Sequence, residues 1–79
     1  MLSVSLMTTD TSEEYRNVAA VRCSVAGGPI KILPRHAPML ATLRSGKVYF
    51  VMASGGIEVH EISSRGLIKV EKDKIAIVS

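Results

Sequence analysis

Three side chains in this sequence have the chemistry from which a nucleophilic or metal site is built: Cys23, His36 and His60. Nucleophilic catalysis needs a thiol or hydroxyl beside a base that a third group orients. None of the three sits in a recognisable local signature of that kind. A structural zinc site asks for four closely placed Cys or His ligands, and these three are widely separated. Gly46-Lys47 has the form of the end of a phosphate-binding loop, but that motif needs a glycine five residues earlier and a hydroxyl residue next. The chain has Ala41 and Val48 there. The sequence therefore assigns no catalytic, cofactor-binding or metal-ligating residue. Cys23 reads as a small buried side chain. His36 reads as a hydrogen-bonding member of its loop rather than a pH switch, and His60, beside Glu58 and Glu61, as solvated.

The elements that carry these residues are short and extended. Leu2, Val4 and Leu6 alternate with Ser3 and Ser5, the period of a half-buried strand, and Thr8 to Ser12 break it as a turn. Tyr15 to Val25 favours extended structure again, until Gly27-Gly28-Pro29 ends it. Pro34 and Pro38 push the residues before them out of helical geometry, so no helix runs through Ile30 to Pro38. Strands follow at Met39 to Leu43, Lys47 to Met52, Ile57 to Ile62, Leu67 to Glu71 and Lys74 to Val78. Turns of Arg-Ser-Gly, Ala-Ser-Gly-Gly, Ser-Ser-Arg-Gly and Lys-Asp separate them. Both faces of Lys47 to Met52 are apolar enough for a central strand. Such regular punctuation marks an all-β sandwich or barrel.

At 79 residues the chain fits one domain, spanning residues 1–79, and a core that small leaves a thin stability margin. Hydrophobic residues make up 47% of it while aromatics make up 4% and Trp is absent, so the core must be aliphatic. One cysteine excludes an internal disulfide and points to a reducing compartment. No run of about 18 apolar residues is present, and no basic segment followed by an apolar stretch opens the chain. Any membrane association is expected to come through a partner. The net charge of +3 raises nucleic-acid binding as a class, but the basic residues are dispersed and not interleaved with stacking aromatics.

Val18 to Gly46 reads VAAVRCSVAGGPIKILPRHAPMLATLRSG. It resembles the sandwich domain of the ATP synthase epsilon family, named delta in mitochondria, whose members typically carry a run close to GEFGILPGHAPLLTALKPG. Gly28, Ile32, Leu33, Pro34, His36, Ala37, Pro38, Leu40, Leu43 and Gly46 fall on matching residue types without a gap. Ser64 to Ser79 is similar to the family's SGGFLEVQPNKVTVLA, matching at Ser64, Gly66, Val70 and Lys74.

The resemblance implies a flattened β-sandwich of about ten short strands. It implies a non-catalytic rotor-stalk subunit of a proton-translocating F-type ATP synthase, without a cofactor, that binds the gamma subunit and rests on the polar loops of the c-ring. The expected c-ring contacts are Gly28, Pro29, Ile30, Lys31 and Arg35. The expected gamma contacts, or supports of the loop, are Leu33, Pro34, His36, Pro38 and Met39, with an exposed apolar patch around Val4, Met39 or the edge strands. The implied place is the cytoplasmic side of a bacterial inner membrane.

Two departures stand out. The family's loop commonly carries an acidic residue and two glycines where this chain has Pro29, Lys31 and Arg35, so a neutral or acidic loop has become basic. The sequence stops at Ser79, before the pair of helices that usually follows the sandwich, so no C-terminal helical hairpin is expected. The competing function classes are a free-standing β-sandwich binding module with an unrelated partner, and a small enzyme whose site would join Cys23, His36 and His60.

Overall fold

A computed structural model describes all 79 residues as eight strands with no helix. They are β1 (Leu2–Met7), β2 (Ser12–Val25), β3 (Gly28–Ile32), β4 (Met39–Leu43), β5 (Gly46–Met52), β6 (Ile57–Ile62), β7 (Gly66–Glu71) and β8 (Lys74–Val78). The resemblance implied about ten; eight suffice because β2 is 14 residues long and serves both layers.

The first part of β2 pairs antiparallel with β1, setting Ser12 opposite Met7 and Val18 opposite Leu2. The later part pairs antiparallel with β3 on one side and β5 on the other. Asn17 sits between the two halves with φ 57, a left-handed conformation that asparagine tolerates better than most residues. The register slips on both sides of this point, between Leu2 and Val4 in one pairing and between Val18 and Ala20 in the other. Such bulges bend a strand, and here the bend carries β2 from one layer into the other. One layer then runs β2-β1-β8-β7-β4, with β1 and β8 parallel, and the other runs β3-β2-β5-β6. A pairing of Val25 with Leu43 closes the far side.

The inward residues of both layers make the core. Leu2, Val4, Leu6, Ile68, Val70, Ile75 and Ile77 come from the first layer, and Val21, Ile32, Val48, Phe50 and Ile62 from the second. No polar or charged side chain is buried among them. The molecule measures 29 × 25 × 17 Å, flattened across the two layers. Alternation in β1 is borne out, and with it comes a correction: Val4 is a core residue and contributes to no exposed patch. The central position of β5, between β2 and β6, is as its two apolar faces implied.

Candidate functional site

The proline loop, residues 33–38, connects β3 to β4 and is fixed at three points. The His36 amide donates to the Leu33 carbonyl at 3.2 Å, closing a turn around Pro34 and Arg35. Arg35 adopts φ 68, in the region that favours glycine. Its amide donates to Asp73 Oδ1 at 2.6 Å. Asp73 lies in the two-residue β7–β8 turn, where Lys72 and Asp73 have φ 49 and 60, as the tight hairpin turn of that kind requires. The Asp73 carbonyl in turn accepts from the Ser3 amide at 2.9 Å. Loop, hairpin tip and the start of β1 are thereby joined into one end of the sandwich.

His36 turns its Nδ1 to the Ala37 carbonyl at 2.6 Å, which places the proton on Nδ1. A hydrogen bond within the loop is one of the two roles expected for His36, the other being a gamma contact. The remaining candidates divide differently from the expectation. Gly28, Pro29, Ile30 and Lys31 are not in a loop at all: they form β3, hairpinned onto β2 with Lys31 opposite Arg22. Ile30 and Met39 are half-buried and pack against the core. Arg35 and Pro38 are exposed, Pro34 is half-buried, and Leu33 is 49% exposed.

Cys23 is buried on the inner face of β2, and burial pushes its thiol from 9.0 up to about 11. That is the direction of an inert thiol, not of a nucleophile. His60 departs from the solvated position expected for it. Alternation along β6 puts it on the same side as buried Ile62, and its ring lies 5.3 Å from that of Tyr15 and 5.0 Å from that of Phe50. Its Nε2 is buried without a hydrogen-bond partner. The period-two pattern of β6 carried that signal; the flanking glutamates masked it. Tyr15 meets Phe50 edge-on at 5.1 Å and donates its hydroxyl to Glu13 Oε2. Burial first, then the Glu13 bond and charge, raise the Tyr15 hydroxyl from 10.0 to about 12.

A concave surface of about 530 Å³ lies on the outer face of the first layer over Ser3, Ser5 and Ala76, and includes none of Cys23, His36 or His60. No three His, Cys, Asp or Glu side chains approach closely enough to hold a metal ion. No helix is long and apolar enough to cross a membrane.

The whole of this sandwich, residues 1–79, matches the family model described as ATP synthase, Delta/Epsilon chain, beta-sandwich domain. The chain belongs to that family. It is 30% identical over 78 residues to the ATP synthase epsilon chain of Campylobacter hominis, covering 99% of this chain and 60% of that one. It is 31% identical to the epsilon chain of Micrococcus luteus, here covering 85% of the relative. The chain thus spans less than two thirds of the first relative and most of the second.

Solved structures give the same fold. A chain of the Euglena gracilis mitochondrial ATP synthase OSCP/F1/c-ring structure superposes over 96% of this delta/epsilon sandwich, and 48% of its own length, with a TM-score of 0.84 at 21% identity. A chain of the Tetrahymena thermophila mitochondrial ATP synthase central stalk and c-ring does so over 99%, and 63% of its own length, with a TM-score of 0.73 at 16% identity.

Proposed function

We propose that this delta/epsilon sandwich is a non-catalytic element of the central stalk of an F-type ATP synthase, joining the gamma subunit to the polar loops of the c-ring. Its place is then peripheral, on the cytoplasmic side of a bacterial inner membrane. The observation that carries this reading is the match of all of residues 1–79 to the family's sandwich domain, with a coupling loop braced against a second hairpin by the Arg35–Asp73 bond. A coupling element must pass torque without yielding, and two packed sheets with an aliphatic core deform little.

The end of the sandwich that holds the loop is the part suited to the ring. Arg35 and Lys72 lie on its two joined tips, both exposed. Lys31 belongs to a different surface, the outer side of β3. On this reading Arg35, with Lys72 beside it, meets acidic or neutral polar groups of the ring, because like charges across an interface cost affinity.

The test is co-purification with the gamma subunit and c-ring, followed by the Arg35→Glu/Lys72→Glu pair in the same assay. Recovery of the wild type in the complex and weakened ring attachment of the pair are expected. A wild type that enters neither complex overturns the reading in favour of a binding module with another partner.

A further inference from the structure

We propose that β6 is a self-pairing edge: two copies of this chain join antiparallel along Ile57–Ile62, with Val59 on the two-fold axis and Glu58 of each copy opposite His60 of the other. Such a dimer belongs to the chain outside any complex, so it stands or falls independently of the stalk reading.

A strand at the rim of a sheet leaves a row of backbone N–H and C=O groups without partners, and proteins normally guard such rims with proline, lysine, clustered charge or a bulge. The other rims of this sandwich are guarded. β3 has Pro29 and Lys31. The first half of β2 has Glu13, Glu14 and Arg16, and its register slips just beyond them. β4 is held through Leu43 to Val25. By contrast, β6 pairs with β5 alone, over six residues in unbroken register. It contains no proline, lysine or bulge, and two of its side chains, Ile57 at 58% and Val59 at 51%, are exposed aliphatics.

One charge stands against simple strand addition. Glu58 pairs with Phe50 and so lies on the core side of β6, with His60 and Ile62. A carboxylate in that place rejects any added strand that sets an apolar residue against it. An antiparallel strand that continues a sheet puts residues of one face opposite residues of the same face, so a second copy of β6 has three central registers. Centred on Glu58, the two Glu58 carboxylates meet. Centred on His60, Glu58 meets Ile62. Centred on Val59, Glu58 meets His60 twice by symmetry, Val59 meets Val59, and Ile57 meets Glu61, whose carboxylate keeps Lys47 opposite it on β5. The last is the only one of the three that gives Glu58 a donor. Both halves of such a two-fold interface are the same patch, as self-complementarity requires.

His60 points to the same register. Its Nε2 is buried with no hydrogen-bond partner. In the dimer a carboxylate arrives on the neighbouring strand, with the two Cβ atoms about 5 Å apart. With its proton on Nε2, the ring donates to Glu58 of the second copy, and the orphaned atom gains the acceptor that its own chain does not supply. An edge of this length buries less than a standard interface, so the association is weak and concentration-dependent.

The experiment follows sedimentation of the purified chain from about 10 µM to about 1 mM, with folding checked by circular dichroism. A reversible equilibrium between monomer and dimer is expected. Val59→Lys sets two cations against each other on the axis and is expected to weaken it about tenfold or more, while Leu67→Lys, at an exposed position on β7, leaves it within about twofold. Cysteine reads the register: Val59→Cys is expected to cross-link to its own copy on mild oxidation, and Ile57→Cys, which faces Glu61, to do so far more slowly. A wild type that stays monomeric throughout, a dimer indifferent to Val59→Lys, or cross-linking no faster in Val59→Cys than in Ile57→Cys overturns the self-pairing edge. None of these results touches the stalk reading, which co-purification with gamma decides.

Discussion

The backbone amide of Arg35 and the carboxylate of Asp73 meet at 2.6 Å across 38 residues of chain. This one bond ties the proline loop to the β7–β8 turn, and nothing local to either element requires it. Asp73→Ala removes the acceptor while leaving the Arg35 amide exposed to water, so the loss is that of a hydrogen bond to a charged group rather than of a buried one. A destabilisation of about 1 kcal/mol is expected. Amide exchange at Arg35 should accelerate in the same variant, with the core strands unchanged. Unaltered exchange at Arg35 would show that the loop holds itself.

Gly66 opens β7 and pairs with Leu43. A Cβ placed on it would run into the Val78 carbonyl oxygen and lie 3.0 Å from the Ser79 Cα, all of it backbone that no rotamer change can move. Gly66→Ala is therefore expected to force β7 and β8 apart at a cost of about 1–3 kcal/mol. In a domain of this size that lowers the thermal midpoint by several degrees. Gly56→Ala, where an added Cβ meets nothing within 4 Å, is the control and should fall close to the wild type.

Much of this architecture was legible in the residues. The Lys72-Asp73 and Arg44-Ser45-Gly46 turns and the alternation of Leu2, Val4 and Leu6 appear where local chemistry puts them, since turn conformation and strand period are short-range properties. Two things were not legible. The bend at Asn17 depends on β2 finding partners in both layers, a tertiary demand that no local pattern announces. The split of the candidate site arose for a similar reason: Gly28 to Lys31 read as loop because of Gly27-Gly28-Pro29, but pairing with Val21 to Val25 turned them into a strand. Arg35 shows the converse. Its left-handed conformation explains why the family's run has glycine there, whereas spacing alone showed only a change of charge.

Alkaline pH is expected to weaken the fold. The Cys23 thiol titrates at 9.0 when unconstrained and is pushed up to about 11 by burial; the Tyr15 hydroxyl goes from 10.0 to about 12. Between pH 9 and 11 the unfolded chain releases protons that the folded chain still holds, so stability falls as pH rises through that window and is fully present below it. Thermal midpoints measured from pH 8 to pH 11 should decline, less steeply in Cys23→Ala and in Tyr15→Phe than in the wild type. A variant slope equal to that of the wild type would remove the residue concerned from this account.

His60 offers a stabilising change. Its ring is held between those of Tyr15 and Phe50, at 5.3 and 5.0 Å, while its Nε2 is shut off from water with no partner. A desolvated polar atom that makes no hydrogen bond costs about 1–3 kcal/mol. Phenylalanine keeps an aromatic ring in the cluster and removes the orphaned nitrogen, at the cost of a modest increase in volume. The gain therefore falls short of the full penalty. His60→Phe is expected to raise the unfolding free energy in urea by about 1 kcal/mol with an unchanged dependence on denaturant. A loss of stability would mean that the nitrogen is satisfied in solution, by a water or by rotation toward Glu58, and that the tight packing of β6 against Tyr15 relaxes to allow it.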